Sequence, residues 1–317
     1  MVPSQMTGKE GTRLGEFVVT SAHSGRRLDA VLKALSGLSW EKARRTIETG
    51  KVTINGENAL DGAAPVFTAN RIRINDRAPK KKTERIRGLE VVHLDSALVV
   101  IEKPAGISTV PFGDEPLEEQ RATLDALVRA KLTQMLGARG RPELGVVQRL
   151  DKETSGLIVF PRTVDAKKHL GQQLRFHTMH RRYLALAHGT VRSGTIRTRF
   201  VANRGDGLRG STRFPKLGEE AISHVEALEQ LDGATLIGCK LETGRTHQIR
   251  IHLSESGHPL LGERVYVRRF AGPILPAPRI MLHAAELGFV HPTTGNEMRF
   301  ESEPPDDFRT RLAELRK

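Results

Sequence analysis

The segment that most restricts the fold of this chain is Arg149-Leu150-Asp151-Lys152-Glu153-Thr154-Ser155-Gly156-Leu157-Ile158-Val159-Phe160. Leu157 to Phe160 form an unbroken apolar run, which reads as a buried strand. Charged residues stand directly ahead of it, separated by a Thr-Ser-Gly turn. In an extended segment residues i and i+2 point to one face. Arg149 and Asp151 therefore face the same side, while Leu150 turns toward the core. A carboxylate held beside a cation at the mouth of a core strand serves as a nucleophile, a base or half of a salt bridge. The segment alone leaves these three open.

The chain has 317 residues, enough for two domains and a sizeable core. Lysine plus arginine exceeds aspartate plus glutamate by 50 − 37 = 13. That excess favours an anionic partner, most simply nucleic acid. The first 16 residues contain no apolar signal segment, and no run approaches the roughly 20 apolar residues of a membrane span. A cytoplasmic protein without membrane contact is expected. The single cysteine, Cys239, lies in an apolar run and reads as a small core residue in a reducing compartment.

Residues 1–16 are polar and are expected to form a mobile tail. Residues 17–78 read as a small α+β domain. Leu28, Val31, Leu32 and Leu35 recur at helical spacing within a helix over 26–38, with Asp29 in its first turn. Ser39 is placed to cap a second helix, Trp40 to Glu48, with Gly50 as its stop. Lys51 to Gly56 reads as a strand entering an Asn-Gly turn, and Ile72 and Ile74 mark another strand. Arg26, Arg27, Lys42, Arg44, Arg45 and Lys51 make the helical part basic and are candidate phosphate contacts; the alternative is a solvated charged face. Residues 79–88 read as a basic linker. Residues 89–317 mix strands and short helices without regular β-α alternation, which favours an α+β fold over a doubly wound sheet. Leu98 to Ile101 is a buried strand. A helix over 115–136 carries Leu124, Leu127, Val128, Leu132 and Met135 on one stripe. Ala234 to Glu242 is a strand.

Two further segments carry polar chemistry. In Glu242 to Leu253 a strand, a glycine turn and a helix start follow one another, with Thr246 as the expected cap and Ser256-Gly257 as the end. A helix start of this kind suits an anion, and Arg245 and His247 stand beside it. His247 and Arg250 are i, i+3 neighbours opposite the Ile249 and Leu253 face. In Arg181 to Gly189, Tyr183 is one of only two tyrosines and follows two arginines. There it either stacks on a base or packs in the core. Gly205 to Gly210 fits a dinucleotide-binding spacing but follows no apolar strand, so it is set aside. The histidine pairs lack metal-site spacing, and no phosphate-binding nucleotide loop is present. No metal or cofactor is expected.

Arg-Leu-Asp-x-x-Thr-Ser-Gly-Leu at 149–157, Arg-x-Tyr-x-Ala at 181–185 and Thr-Gly-Arg-Thr-His-Gln-Ile-Arg-Ile-His-Leu at 243–253 occur together with Glu-Lys-Pro-Ala-Gly at 102–106, Gly-His-Pro-Leu-Leu-Gly at 257–262 and Leu-His-Ala at 282–284. In this order the set resembles the RluA-type pseudouridine synthases, nearest in layout to those acting on large-subunit ribosomal RNA. Residues 25–76, with Gly-Lys-Val-x-Ile-Asn-Gly at 50–56, resemble the S4-type RNA-binding domain. The resemblance implies a pseudouridine synthase fold with a central mixed, mainly antiparallel sheet. It implies Asp151 as the nucleophile or base, Arg250 as its ion-pair partner and Tyr183 against the flipped base. Arg149 would fill the gap in the RNA stack, Leu282 would line the base pocket, and Arg245 and His247 would contact substrate. The partner would be RNA, ribosomal rather than transfer RNA, bound by a monomer; a catalytically idle assembly factor is the reading of a different class. The chain departs from the family at Gln148, where histidine is usual, and at Glu263, where aspartate is usual. Residues 112–143 form a longer stretch than the family minimum.

Overall fold

The computed structural model describes residues 15–48, 51–59, 62, 65–75, 89–111, 123–137, 143–267 and 270–316. The chain divides into two compact units, Met1–Arg87 and Gly88–Lys317.

In the first unit, β1 (Gly15–Val18) begins inside the stretch expected to be a mobile tail, because it finds a partner in β6 (Arg71–Ile74). Residues 1–14 and the linker at 79–88 lie outside the described residues. The four-stranded sheet runs β1-β6-β3-β4, with β3 at Val52–Ile54 and β4 at Glu57–Asn58. Asn55 and Gly56 turn between β3 and β4 with φ of 53° and 89°, the left-handed pair that a tight hairpin requires. The first helix, α1, spans Leu28–Ser36, shorter than expected at both ends. Arg26–Arg27 pair instead with Pro65–Val66, and Gly37 at φ 70° stops the helix. The second, α2, is Trp40–Glu48, and Ser39 Oγ accepts the Lys42 N–H at 3.2 Å as a cap does. Leu28, Val31, Leu32 and Ile47 pack with Val52, Ile72 and Ile74 as the core.

The second unit is built on a ten-stranded sheet. Its strands are β7 (Glu90–Leu94), β8 (Leu98–Lys103), β9 (Ser155–Pro161), β10 (His180–His188), β11 (Gly194–Val201), β12 (Gly210–Thr212), β13 (Glu219–Leu231), β14 (Ala234–Leu241), β15 (Leu282–Val290) and β16 (Glu297–Glu301). The order is β12-β11-β13-β14-β10-β15-β9-β8-β7, with β16 on β15. Among the described strands every pairing is antiparallel except β9 with β15. All seven residues of β9 are buried, as its apolar run requires. Helices α3 (Leu124–Leu136), α4 (Val164–Arg175), α5 (Gln248–Glu255) and α6 (Asp306–Leu315) complete the unit.

The expected helix over 115–136 is described only from Leu124, since residues 112–122 lie outside the described set. Leu124, Val128 and Leu132 are buried, but Met135 is 49% exposed, so the apolar stripe ends before the helix does. Cys239 is a fully buried core residue, and burial pushes its thiol up to about 12. No helix among the described residues is long and apolar enough to cross a membrane.

The β9–β15 junction positions the polar loop ahead of β9. It consists of two residue pairs, Ser155 with His283 and Gly156 with Ala284. Gly156 sits at φ 108°, and a Cβ there would stand 2.3 Å from the Ala284 carbonyl oxygen. Only glycine permits this approach. It brings the loop 149–154 beside Leu282, the first residue of β15.

Candidate active site

The loop before β9, strand β10, the turn after β14 and helix α5 meet around a cleft of about 430 Å³. Arg149, Asp151, Tyr183, Arg245, His247, Arg250 and Leu282 all line it. The structure thus gathers every residue expected at the site of the second unit. Arg149 and Asp151 both line the cleft, as their spacing predicts; Leu150 between them is buried, though it too borders the cleft.

Buried cations hold the loop that carries Asp151. Lys103, fully buried at the end of β8, donates to the carbonyls of Pro104, Lys152 and Thr154 at 3.0, 3.1 and 2.6 Å. Burial lowers its pKa to about 7, against the pull of Asp151. Three carbonyl acceptors nevertheless need the three N–H donors of an ammonium, so the cage favours the charged form. Arg279 acts from behind. It donates to the Glu153 carbonyl at 3.0 Å and Ser155 Oγ at 3.3 Å, and is anchored by Asp307 at 2.6 Å.

Asp151 accepts from Arg250 Nη1 at 3.3 Å and lies 3.9 Å from His247 Nε2. Arg250 is held far more firmly by Glu263. Its Nε and Nη2 donate to the two Glu263 oxygens at 2.7 and 2.9 Å, a bidentate pair with the Glu263 side chain fully buried. The backbone N–H groups of Arg264 and Val265 also donate to Glu263 Oε1, at 3.0 and 2.9 Å. Burial raises the Glu263 pKa, but the hydrogen bonds and charge of Arg250 outweigh it and hold the carboxyl below its ordinary value. Burial likewise works against the charge on Arg250, and Glu263 more than offsets it. Sequence reading noted Glu263 only as a departure from pattern. Its role is to fix the cation that faces Asp151.

Helix α5 differs from expectation. It begins at Gln248 with His247 before it at φ 58°, so Thr246 is not the cap. The Gln248 side chain makes the turn, with Oε1 accepting from Arg245 N at 3.0 Å and from Thr243 Oγ1 at 2.7 Å. Thr246 Oγ1 instead accepts from Arg149 Nη2 at 3.4 Å. All residues from Gln248 to Leu253 are buried, and the exposed charge of the helix is confined to Glu255 at its end, paired with Arg204 at 2.8 Å. It is a core element whose polar groups find internal partners. His252, for one, bridges Ser223 Oγ and Thr198 Oγ1, and burial lowers its pKa to about 4.

Tyr183 is 8% exposed on β10, beside a register shift between β10 and β15. Such irregularities re-aim side chains next to sites. Burial raises its phenol pKa, and the charge of Arg181 pulls it back. His247 shares a 2.8 Å hydrogen bond with Tyr266 Oη, and burial holds it below its usual pKa against the charge of Asp151. Gln148 lines the cleft without a hydrogen bond to the described residues. Asp151 is the one carboxylate among the lining residues, facing five arginines. Among the described residues no three His, Cys, Asp or Glu side chains cluster as a metal site.

A cleft of this volume, with a single carboxylate among cations and an adjacent buried aromatic, suits chemistry on an RNA nucleotide withdrawn from its stack. Residues 97–255 match the RNA pseudouridylate synthase family. The chain belongs to that family, whose members are isomerases acting on RNA. Ribosomal large subunit pseudouridine synthase D of Zymomonas mobilis is 32% identical over 305 residues, covering 93% of this chain and 95% of its own length. The protein of that name from Pseudomonas aeruginosa is 37% identical over 238 residues, 72% of each chain. The structure of human RNA pseudouridylate synthase domain containing 4 shares the fold. Its TM-score is 0.57 at 23% identity, over 71% of this chain and 92% of that one.

Proposed function

We propose that this chain converts specific uridines of ribosomal RNA to pseudouridine, with Asp151 starting the reaction as nucleophile or base. The observation that carries this reading is the placement of Asp151 as the lone lining carboxylate, oriented by Arg250, beside the buried ring of Tyr183. The ribosomal substrate follows the printed names of the relatives.

The isomerisation breaks the bond from the sugar to the ring nitrogen, turns the base within its pocket and re-forms the bond to carbon. It is redox-neutral and requires no group donor. Asp151 supplies the carboxylate, Arg250 orients it, and Tyr183 and Leu282 enclose the base while it turns. Arg149, exposed at the cleft mouth, fills the vacated place in the RNA stack, while Arg245 and His247 contact the nucleotide. Pseudouridine mapping of total RNA from cells with and without the gene tests this. At least one ribosomal uridine is expected to lose modification and to regain it with the wild-type gene. Loss confined to transfer RNA would reassign the substrate, and no change anywhere would sink the reading.

The first unit is proposed as an S4-type RNA-binding domain. Asp29 is fully buried there and draws Arg27 at 2.7 Å and Arg44 at 3.0 Å. Those two arginine side chains remain 46% and 47% exposed. Removing residues 1–87 is expected to weaken RNA binding and flatten its salt dependence by roughly 0.7–0.9 in log–log slope per lost phosphate contact. An unchanged slope would place the phosphate contacts elsewhere.

A further inference from the structure

Arg181 stands apart from the other cations of the cleft. Its side chain lies on the face of β10 that carries Tyr183, two residues along, and it lines the same cleft. It is 6% exposed, yet it pairs with no carboxylate among the described residues. Its hydrogen bond there is from Nη2 to the Glu242 carbonyl at 2.9 Å, and its Nε has no partner. The Glu242 carboxylate, on the residue whose carbonyl takes this hydrogen bond, turns instead to His224 Nε2 at 2.6 Å. By contrast Arg250 has Glu263, and Arg245 has Glu219 at 3.2 Å.

A buried guanidinium without a counter-charge is costly, and proteins normally pair one. Here the residue that carries the charge lines the substrate cleft. Gly244 leaves room for it, since a Cβ at that position would stand 2.8 Å from Arg181 Nη1. The missing charge is therefore expected from the ligand. Uracil offers neutral carbonyls, which accept a hydrogen bond but do not neutralise a cation. The RNA backbone offers one anionic phosphate per nucleotide, and arginine matches its geometry. Residues i and i+2 of a strand are separated by roughly 7 Å, so a base against Tyr183 brings its own backbone within reach of Arg181.

We infer that Arg181 is the binding site for a backbone phosphate next to the flipped uridine, completing its counter-charge only when RNA is bound. The inference rests on the proposed reaction for the identity of its ligand. It separates Arg181 from an electrostatic residue that merely tunes Tyr183, because it predicts a direct phosphate partner.

The test uses the full chain and two kinds of RNA. The first is a large-subunit ribosomal RNA transcript. The second is a synthetic RNA carrying the mapped target uridine, made with ordinary phosphates or with a neutral methylphosphonate on either side of that uridine. Arg181→Gln is expected to weaken binding to the transcript about tenfold and to reduce the log–log salt slope by about one. Arg181→Lys keeps the slope. One of the two methylphosphonates is expected to weaken wild-type binding about tenfold and to leave Arg181→Gln unaffected, because the contact is already gone. Equal effects of both methylphosphonates on wild type and variant, or an unchanged salt slope, would overturn the site. If Arg181→Gln does not fold, Gly244→Ala displaces the guanidinium without removing its charge, and loss of the methylphosphonate effect in that variant is the expected result. Wild type that binds but forms no pseudouridine would sink the proposed reaction, while the methylphosphonate comparison still decides the phosphate contact.

Discussion

Asp151→Asn is expected to lower single-turnover pseudouridine formation by at least about 10³-fold while leaving RNA affinity within a few-fold of wild type. Asparagine keeps the size of the side chain and an oxygen to accept from Arg250 Nη1. It removes the negative charge and the nucleophilic or basic oxygen. The Asp151 side chain is 26% exposed at the cleft surface, so the exchange disturbs no core packing. The thermal melt is expected to stay close to wild type. Quantifying pseudouridine against time with enzyme in excess, alongside a binding titration, separates chemistry from affinity. Retention of even a tenth of the wild-type rate would remove Asp151 from the role proposed for it.

The second large effect is on stability. Glu263→Ala removes the firm partner of Arg250 and leaves a buried guanidinium with the 3.3 Å contact to Asp151 as its remaining ion pair and the Tyr266 ring 5.4 Å away. Breaking one side of a buried ion pair costs about 3–5 kcal/mol. A shift of that size in urea unfolding is expected, together with loss of activity as Arg250 rearranges. The pH dependence carries a further signature. The folded pKa of Glu263 lies below its ordinary value of 4.5. Its contribution is thus complete above the ordinary value and disappears as pH falls through the folded one. The acid limb of stability against pH is expected to be shallower in Glu263→Ala than in wild type. Unfolding unchanged from wild type would mean that the pair contributes nothing net, as some buried pairs do.

What could be read in advance followed the range of the interactions. Strand β9 announced itself as an apolar run, the second helix by its Ser39 cap, and the β3–β4 hairpin by Asn55-Gly56, because each is decided by neighbours in sequence. The face shared by Arg149 and Asp151 followed from strand geometry alone. Long-range partners left no local trace. Lys103 meets the Lys152 and Thr154 carbonyls 49 and 51 residues away. Arg250 meets Glu263 only because Gly262, at φ 81°, lets the chain run against the Arg279 carbonyl. The start of helix α5 differed for the same reason. Thr246 has the chemistry of a cap, but the Gln248 side chain, held by Thr243 and the Arg245 N–H, makes the turn instead. Arg27-Leu28-Asp29 shows how little a triplet conveys by itself. Asp29 is fully buried between two arginines of the small unit, whereas Asp151, in the same three-residue context, opens onto a cleft.

The junction of β9 and β15 sets a length scale for the site. Asp151 enters from the β9 side, while Tyr183 and Arg250 come from β10 and α5 on the other. The two sides are spaced at Gly156 and Ala284 by main-chain atoms in contact, with no side chain between them. The gap that a nucleotide must fit is thereby gauged by the thickness of the polypeptide itself. Side chains around the cleft can vary in size and leave that gauge unchanged, whereas one methyl group at position 156 would reset it.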